Sequence, residues 1–374
     1  MASLARRNLF RDKVRLAVTL TGIVFSVVLT TIQLGLFIGF TAATADIIDY
    51  SRADLWVASK EVTHIEDGVP FSERKLYQVL GAPGVAEVEK QAVQFCAWKR
   101  PNGGVEQVML AGFNPDRAMG GPWNVVEGRI EDLKAADTVM IDELYREKLG
   151  VTRLGQVMEI SGRRARVIGF TRGIRTFTTA PLVFTSFKNA QSYSGLKEDQ
   201  TTFLLVKATA GVDIRGLKRR LSARVKDVDV YTTAEFSRKQ QSYWLLGTGA
   251  GFTVLLAAGL GLLVGVVVVA QTIYAATVDH IREYGTLKAM GASNGYLYRV
   301  IIKQAAISGV IGYMLGMALS LLFVHGSRHS AVAIIVPWPL LIGLLAMTLL
   351  MCVGASIVSI NKVMRIDPAM VFKG

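Results

Sequence analysis

Residues 240–278 read QQSYWLLGTGAGFTVLLAAGLGLLVGVVVVAQTIYAATV, a run of 39 residues without Asp, Glu, Lys or Arg. Three further runs of this kind occupy residues 16–45, 304–327 and 329–361. A helix needs about 20 mainly apolar residues to cross the ~30 Å hydrocarbon core of a bilayer. Four such windows exceed what the core of one soluble domain needs. The sequence therefore predicts an α-helical membrane protein with four transmembrane helices.

The distribution of the formal net charge of +13 predicts the topology. Residues 46–239 hold 29 Lys and Arg and 25 Asp and Glu, a net of +4, so the remaining +9 flanks the apolar runs. Cytoplasmic loops are enriched in Lys and Arg, whereas long external domains translocate largely regardless of their charge. We therefore expect both termini in the cytoplasm and residues 46–239 on the other side. No nucleic-acid partner is expected.

The N-terminus also invites a different interpretation, a cleaved twin-arginine signal, because Arg6-Arg7 precedes an apolar run that ends near Ala43-Thr44-Ala45. That run is near 30 residues, whereas the apolar region of a signal peptide has about 7–15, so we expect it to remain as an anchor. The two cysteines, Cys96 and Cys352, fall in the external domain and the fourth run, where they cannot pair. A domain of nearly 200 residues can form a conventional core without a disulfide.

Aromatic residues and glycines mark the spans. Tyr243-Trp244 and Pro337-Trp338-Pro339 suit the membrane–water interface at the starts of the second and fourth spans. Glycines four residues apart allow helices to approach closely, and they recur as Gly35/Gly39, Gly247/Gly251, Gly261/Gly265 and Gly312/Gly316.

The external region is predicted to be an α+β domain with a ferredoxin-like lobe and an inserted β-rich lobe. Two β-α-β patterns, typical of a split βαβ arrangement, lie near its ends. The first comprises a strand Asp54–Ser59, a helix Ser72–Leu80 capped by Ser72, and a strand after Gly84. The second comprises a strand Thr202–Ala208, a helix about Asp213–Val225, and a strand Val228–Thr232. Between them, Pro101-Asn102-Gly103-Gly104 is a strong hairpin signal between Gln94–Arg100 and Val105–Gly112. The inserted lobe, about residues 113–195, is expected to contain a strand Arg163–Thr171 and a helix near Glu143–Leu149.

The sequence lacks the motifs of a catalytic subunit. No Gly-x-x-x-x-Gly-Lys phosphate loop occurs, and no Gly-Lys dipeptide exists anywhere in the chain. The spans contain no carboxylate of the kind that ion-coupled transporters use. His325 and His329 have a helical spacing that suits a metal, but they lie in a short external loop without a nearby carboxylate. We therefore expect a non-catalytic chain with no cofactor of its own.

The cytoplasmic segment after the second span, residues 279–293, reads DHIREYGTLKAMGAS. Tyr284, Leu287 and Met290 recur every three residues on one side, Arg282 and Lys288 present charge, and Gly291 suits a helix end. The pattern predicts an interfacial helix. On periodicity alone, an anchor that holds the loop at the membrane surface is the favoured interpretation.

The same segment, with the stretches Ala5–Gly22 and Arg365–Ala369, resembles permeases of the MacB/FtsX superfamily, the mechanotransmission-type ABC transporters. Four stretches resemble the DevC-type permeases of heterocyst glycolipid exporters: ADLWV at 53–57, RKLYQ at 74–78, GFNPD at 112–116 and EYGTLKAMG at 283–291.

This resemblance implies a homodimeric permease of the inner (cytoplasmic) membrane with a periplasmic domain. It further implies a separate ABC ATPase that binds ATP and Mg, a membrane-fusion adaptor in the periplasm, and a TolC-like outer-membrane duct. The residues implied in coupling to the ATPase are Arg282, Glu283, Tyr284, Gly285, Leu287, Lys288, Met290 and Gly291. The cargo expected is a lipid, a glycolipid or another amphipathic molecule. Two alternatives share this fold, namely an FtsX-like protein that regulates a cell-wall hydrolase and a machine that extracts lipoproteins.

Together these observations predict nine segments. They are a cytoplasmic amphipathic helix at 1–15, the first span at 16–45, the periplasmic domain at 46–239, the second span at 240–275, a cytoplasmic coupling helix at 276–295, the third span at 296–325, a short periplasmic loop at 326–336, the fourth span at 337–361 and a cytoplasmic tail at 362–374.

Overall fold

The computed structural model describes residues 13–117, 119–176, 178, 180–279, 293–327 and 334–363. The α-helices are α1 Lys13–Asp49, α2 Lys75–Leu80, α3 Arg146–Leu149, α4 Phe187–Ser194, α5 Ile214–Arg224, α6 Thr233–Ser242, α7 Ala250–Asp279, α8 Asn294–Gly326 and α9 Trp338–Val363. Four of them, α1, α7, α8 and α9, are long and apolar enough to cross a membrane. The prediction of four apolar spans is confirmed.

The strands are β1 Leu55–Ser59, β2 Phe71–Ser72, β3 Val85–Lys99, β4 Val105–Phe113, β5 Val125–Glu127, β6 Thr138–Asp142, β7 Val157–Ile160, β8 Arg163–Thr171, β9 Leu182–Ser186, β10 Gln200–Thr201, β11 Phe203–Ala208 and β12 Val228–Thr232. The chain forms two compact units. Among the described residues, a helical unit takes in 13–39, 251–327 and 334–363, and an α+β unit takes in 40–250.

The ferredoxin-like lobe consists of four antiparallel strands in the order β12-β1-β11-β3. Helix α2 lies between β1 and β3 in the chain, and α5 lies between β11 and β12, which is the split βαβ arrangement. Val79 of α2 and Leu217 and Leu221 of α5 are buried in one apolar cluster with the β1 side chains Leu55 and Val57. The predicted lobe is confirmed.

The inserted lobe is a closed circuit of six strands, β3-β4-β9-β6-β8-β7, with β7 pairing back onto β3. The long strand β3 serves both lobes, because its first part pairs with β11 and Ala92–Lys99 pairs with β4. Side chains such as Trp98, Ile141 and Val167 fill the circuit. The β-rich insertion is confirmed, and the circuit takes in the 94–112 hairpin, which lies upstream of residue 113.

Local structure corrects the predicted cap at Ser72 and confirms the helix near Glu143–Leu149. Ser72 is not a helix cap, because it pairs with Gln200 in a two-stranded sheet and α2 begins only at Lys75. The helix near Glu143 starts as a 3-10 turn at Glu143–Tyr145, where the Asp142 side chain accepts a hydrogen bond from the amide of Leu144, and it ends at Gly150 with φ +70°.

The start of the second apolar helix lies later than the aromatic pair that marks it in the sequence. After α6, residues Tyr243–Gly247 form a π-helical turn, and Gly249 has φ +74°, a left-handed conformation that glycine adopts without strain. The Tyr243 ring stacks on His64 at 4.1 Å between ring centroids. The pair therefore belongs to a helical extension of the α+β unit, and α7 begins at Ala250.

Candidate functional site

The predicted coupling residues lie between α7, which ends at Asp279, and α8, which begins at Asn294. Arg282, Glu283, Tyr284, Gly285, Leu287, Lys288, Met290 and Gly291 all fall in residues 280–292, outside the described residues. Ser293 has φ −70° and ψ 151°, the extended conformation of a residue that precedes a helix. The coupling role of the segment remains a prediction, but the two helices that hold its ends are defined.

Helix α1 meets α7 through glycines and small side chains. A Cβ added at Gly22 would lie 2.3 Å from Cγ1 of Val268, and one added at Gly265 would lie 2.1 Å from Oγ of Ser26. The Ser26 hydroxyl donates a hydrogen bond to the carbonyl of Gly261 at 3.3 Å. Because neither site has room for a side chain, the two backbones approach as closely as small-residue spacing allows.

Helix α1 meets α8 in the same way on another part of its surface. A Cβ at Gly312 would lie 2.5 Å from Cγ2 of Ile23, and one at Gly316 would lie 2.9 Å from Val27. Ile23 and Val27 are buried in the core of the helical unit. Two of the four glycine pairs noted in the sequence therefore contact α1, whereas Gly247 lies in the π turn.

Helices α8 and α9 complete the unit. Gly309 lies against Cys352, and the Tyr313 hydroxyl donates a hydrogen bond to the carbonyl of Leu341 at 2.8 Å. Cys352 and Ala355 of α9 share a buried cluster with Ala305 of α8. Helix α1 thus lies among the other helices of its unit, and a displacement of α7 or α8 would act on it directly.

Among the described residues of the α+β unit, one carboxylate is fully buried, that of Asp142. It accepts hydrogen bonds from the amides of Ile174 at 2.8 Å and Leu144 at 3.1 Å, and from the Thr171 hydroxyl at 2.9 Å. Burial raises the pKa of Asp142, and these hydrogen bonds oppose that shift. The carboxylate fastens the end of β8 to the turn after β6, which is a structural role.

No other group of described residues suggests chemistry. Within those residues, no three side chains of His, Cys, Asp or Glu lie close enough to hold a metal ion, and His329 is outside them. Cys96 and Cys352 are both buried and unpaired. The described geometry is that of helices packed for close contact and of an α+β unit with large apolar clusters.

The architecture is that of a multi-pass membrane protein with an α+β domain between its first and second spans, and comparison with known families agrees. The family described as a MacB-like periplasmic core domain matches residues 16–224, and the family described as an FtsX-like permease C-terminal matches residues 255–368. The chain belongs to the MacB/FtsX superfamily of ABC transporter permeases.

Individual relatives are distant but extend along the chain. An uncharacterized ABC transporter permease of Mycobacterium tuberculosis is 24% identical over 363 residues, which cover 96% of this chain and 95% of that protein. The macrolide export ATP-binding/permease protein MacB of Escherichia coli is 24% identical over 214 residues, 54% of this chain and 32% of that protein. Among solved structures, the extracellular domain of the noncanonic ABC-type transporter YknZ from Gram-positive bacteria has 18% identity and a TM-score of 0.37. That match covers 48% of this chain and 99% of that domain.

Proposed function

We propose that this chain is the permease subunit of a mechanotransmission-type ABC exporter. A separate ATPase subunit binds ATP and Mg and docks on residues 282–291, and its motion changes the conformation of the periplasmic domain. The cargo is a lipid, a glycolipid or another amphipathic molecule, as in the DevC-type exporters. It leaves through a membrane-fusion adaptor and a TolC-like duct. Both termini lie in the cytoplasm.

The observation that carries this proposal is the continuity of α1. This helix has 37 residues, about 55 Å at 1.5 Å per residue, which exceeds the ~30 Å hydrocarbon core. Ile23 and Val27 belong to the core of the helical unit, and Ile47 and Ile48 belong to the core of the α+β unit. A continuous helix with one end in the core of each unit suits the transmission of a displacement.

The coupling proposal is tested at Leu287. The change Leu287→Asp places a charge in the apolar contact with the ATPase, at a cost of about 1–3 kcal/mol or more. Assembly and ATPase stimulation should fail, as measured by pull-down and by the ATPase rate of the purified partner with permease in nanodiscs. Glu283→Lys should also weaken binding, because it reverses a charge in the docking segment. Lys288→Ala, which removes a charge from the face that the periodicity predicts to be solvated, should weaken binding less than either change. If Leu287→Asp still assembled with the ATPase, the segment would be only a surface anchor.

The topology is tested with alkaline-phosphatase fusions. A fusion after residue 120 should be active and one after residue 290 inactive, because the Lys and Arg distribution predicts that the first lies outside the cytoplasm. The opposite pattern would overturn the proposed orientation.

We also propose a homodimer. An apolar groove of about 700 Å³ runs along α1, lined in part by Val14, Val18 and Phe25, with Val268 as its one residue from α7, and a second copy fills it. Val18→Cys should cross-link two chains in membranes, with the unmodified chain as control for Cys96 and Cys352. Absence of a cross-linked dimer would argue against this interface.

A further inference from the structure

The outer side of α5 in the ferredoxin-like lobe is strongly basic. Helix α5 has five basic residues and no acidic one in its 11 residues. Leu217 and Leu221 are buried against the sheet. Four arginines, Arg215, Arg219, Arg220 and Arg224, are exposed.

These charges are little compensated within the domain. Among the described residues, the only basic residue of α5 with an ion pair is Lys218, which binds Glu235 at 2.7 Å. The Arg220 guanidinium donates a hydrogen bond to the carbonyl of Pro83 at 3.4 Å. Arg215 with Arg219, and Arg220 with Arg224, are like charges four residues apart, a spacing at which they destabilise a helix. A face that serves only solubility intersperses both signs of charge, whereas this face carries one sign.

Apolar side chains accompany the arginines. Tyr77 of α2 is 71% exposed and Leu80 is 45% exposed. The Arg224 guanidinium lies beside Gly81, directly after Leu80, where an added Cβ would be 3.2 Å from Nη2. Exposed tyrosine with arginine is the combination enriched in protein interfaces, because both give contact area and directed hydrogen bonds.

We propose that this α2/α5 face, made by Tyr77, Leu80, Arg215, Arg219, Arg220 and Arg224, docks an acidic surface of a protein partner. Carboxylates of the partner pair with the guanidiniums, and its apolar side chains cover Tyr77 and Leu80. A simple polyanion would leave those two side chains in water, and two of them are too small an apolar face for insertion into a bilayer. This inference goes beyond the proposed function, which assigns no face of the α+β unit to a protein partner.

The test uses the full chain in phosphatidylcholine nanodiscs and a fluorescein-labelled helical peptide of Glu and Leu. Fluorescence anisotropy measures its Kd, and a companion peptide with Gln for Glu reports the need for charge. In the double variant R219E/R224E each like-charge pair becomes an opposite-charge pair, so the helix should stay folded while the Kd rises about tenfold or more. Y77S should raise the Kd about threefold. The control R164E/R166E makes the same charge change on exposed arginines of β8 and should leave the Kd unchanged.

Three results would overturn the proposal. An equal loss of affinity in R164E/R166E would mean that the peptide responds only to net charge. Wild-type affinity in Y77S, together with displacement of the peptide by polyphosphate, would mean a site for simple anions. Co-flotation of the nanodiscs with phosphatidylglycerol vesicles that is lost in R219E/R224E would mean a lipid surface instead of a protein. Stimulation of the ATPase should be the same in all these variants, which separates this test from that of the coupling segment.

Discussion

The helical unit and the α+β unit are each stabilised by a different kind of packing. In the helical unit α1 contacts α7 and α8 at glycines, where there is no room for a Cβ, whereas the α+β unit is filled with large side chains such as Trp56, Trp98 and Phe203. Lipid tails are as apolar as leucine, so helices in a bilayer gain from close contact, while a water-exposed domain gains from burying apolar area. The difference predicts that the helical unit is disrupted by volume added at its contact glycines, and the α+β unit by volume removed from its core.

The strongest way to break this contrast is Trp56→Ala. Trp56 is fully buried and packs against Phe203 and Phe236 at 5.6 and 5.4 Å between ring centroids. Removal of a core aromatic costs about 3–5 kcal/mol through lost transfer energy and the cavity left behind. Hydrogen exchange should show faster opening of β1 and β11, with the amides of α8 unchanged. Equal opening of α8 would show that the units do not fail separately.

The next effect is that of Asp142→Ala. The change leaves the amides of Ile174 and Leu144 and the Thr171 hydroxyl without their acceptor, at about 3 kcal/mol in total, less where water reaches them. Hydrogen exchange of β6 and β8 should report the loss. The half-buried neighbour Glu143, changed to Ala, serves as control, since it would lose only an ion pair with the exposed Arg172.

The pH dependence at Asp142 has a definite sign. Burial raises its pKa, so the folded chain holds the proton more tightly than the unfolded chain does. The contribution of protonated Asp142 to the free energy of unfolding is therefore complete below the unfolded pKa of about 3.9. It is lost as pH rises through the higher pKa of the folded chain. The opening free energy of β6 relative to Asp142→Asn should fall over that range. A rise would mean that the three hydrogen bonds outweigh burial.

Addition of volume should affect the helical unit in turn. Gly265→Leu forces a side chain against Ser26 and Met351, at a cost of about 1–3 kcal/mol, and should separate α1 from α7. Gly259→Leu on the same helix is the control, because an added Cβ at Gly259 meets no atom within 4 Å. Thermal unfolding in detergent should show a lower midpoint only for Gly265→Leu. A similar shift in both variants would place the effect in the helix itself.

How far the sequence anticipates this structure depends on how local each signal is. The charge-free windows and the turn at Pro101–Gly104 are local, and both predict elements that form. Trp98 pairs with Ile160 and so closes the inserted lobe. This pairing joins residues that are distant in the sequence through β7, a strand of only four residues that periodicity does not reveal. The late start of α7 depends on the conformation of Gly249. The basic outer side of α5 is recognisable from the sequence, because five basic residues occur there without an acidic one. Amphipathicity alone predicts only the buried side of the helix.

The smallest effect expected is a gain, and it separates stability from surface function. In R219E/R224E the two repulsive pairs of α5 become attractions, because Arg215 and Arg220 each then face a carboxylate four residues further along the helix. Each attraction is worth about 0.2–0.5 kcal/mol, with relief of a similar repulsion. Hydrogen exchange of α5 should therefore slow by a few-fold in low salt, and the gain should shrink in high salt, where surface charges are screened. R164E/R166E, on a strand, should show no such gain in α5. If α5 were instead opened by R219E/R224E, the arginines would be engaged in holding the lobe together, and the repulsion inferred on this face would be absent.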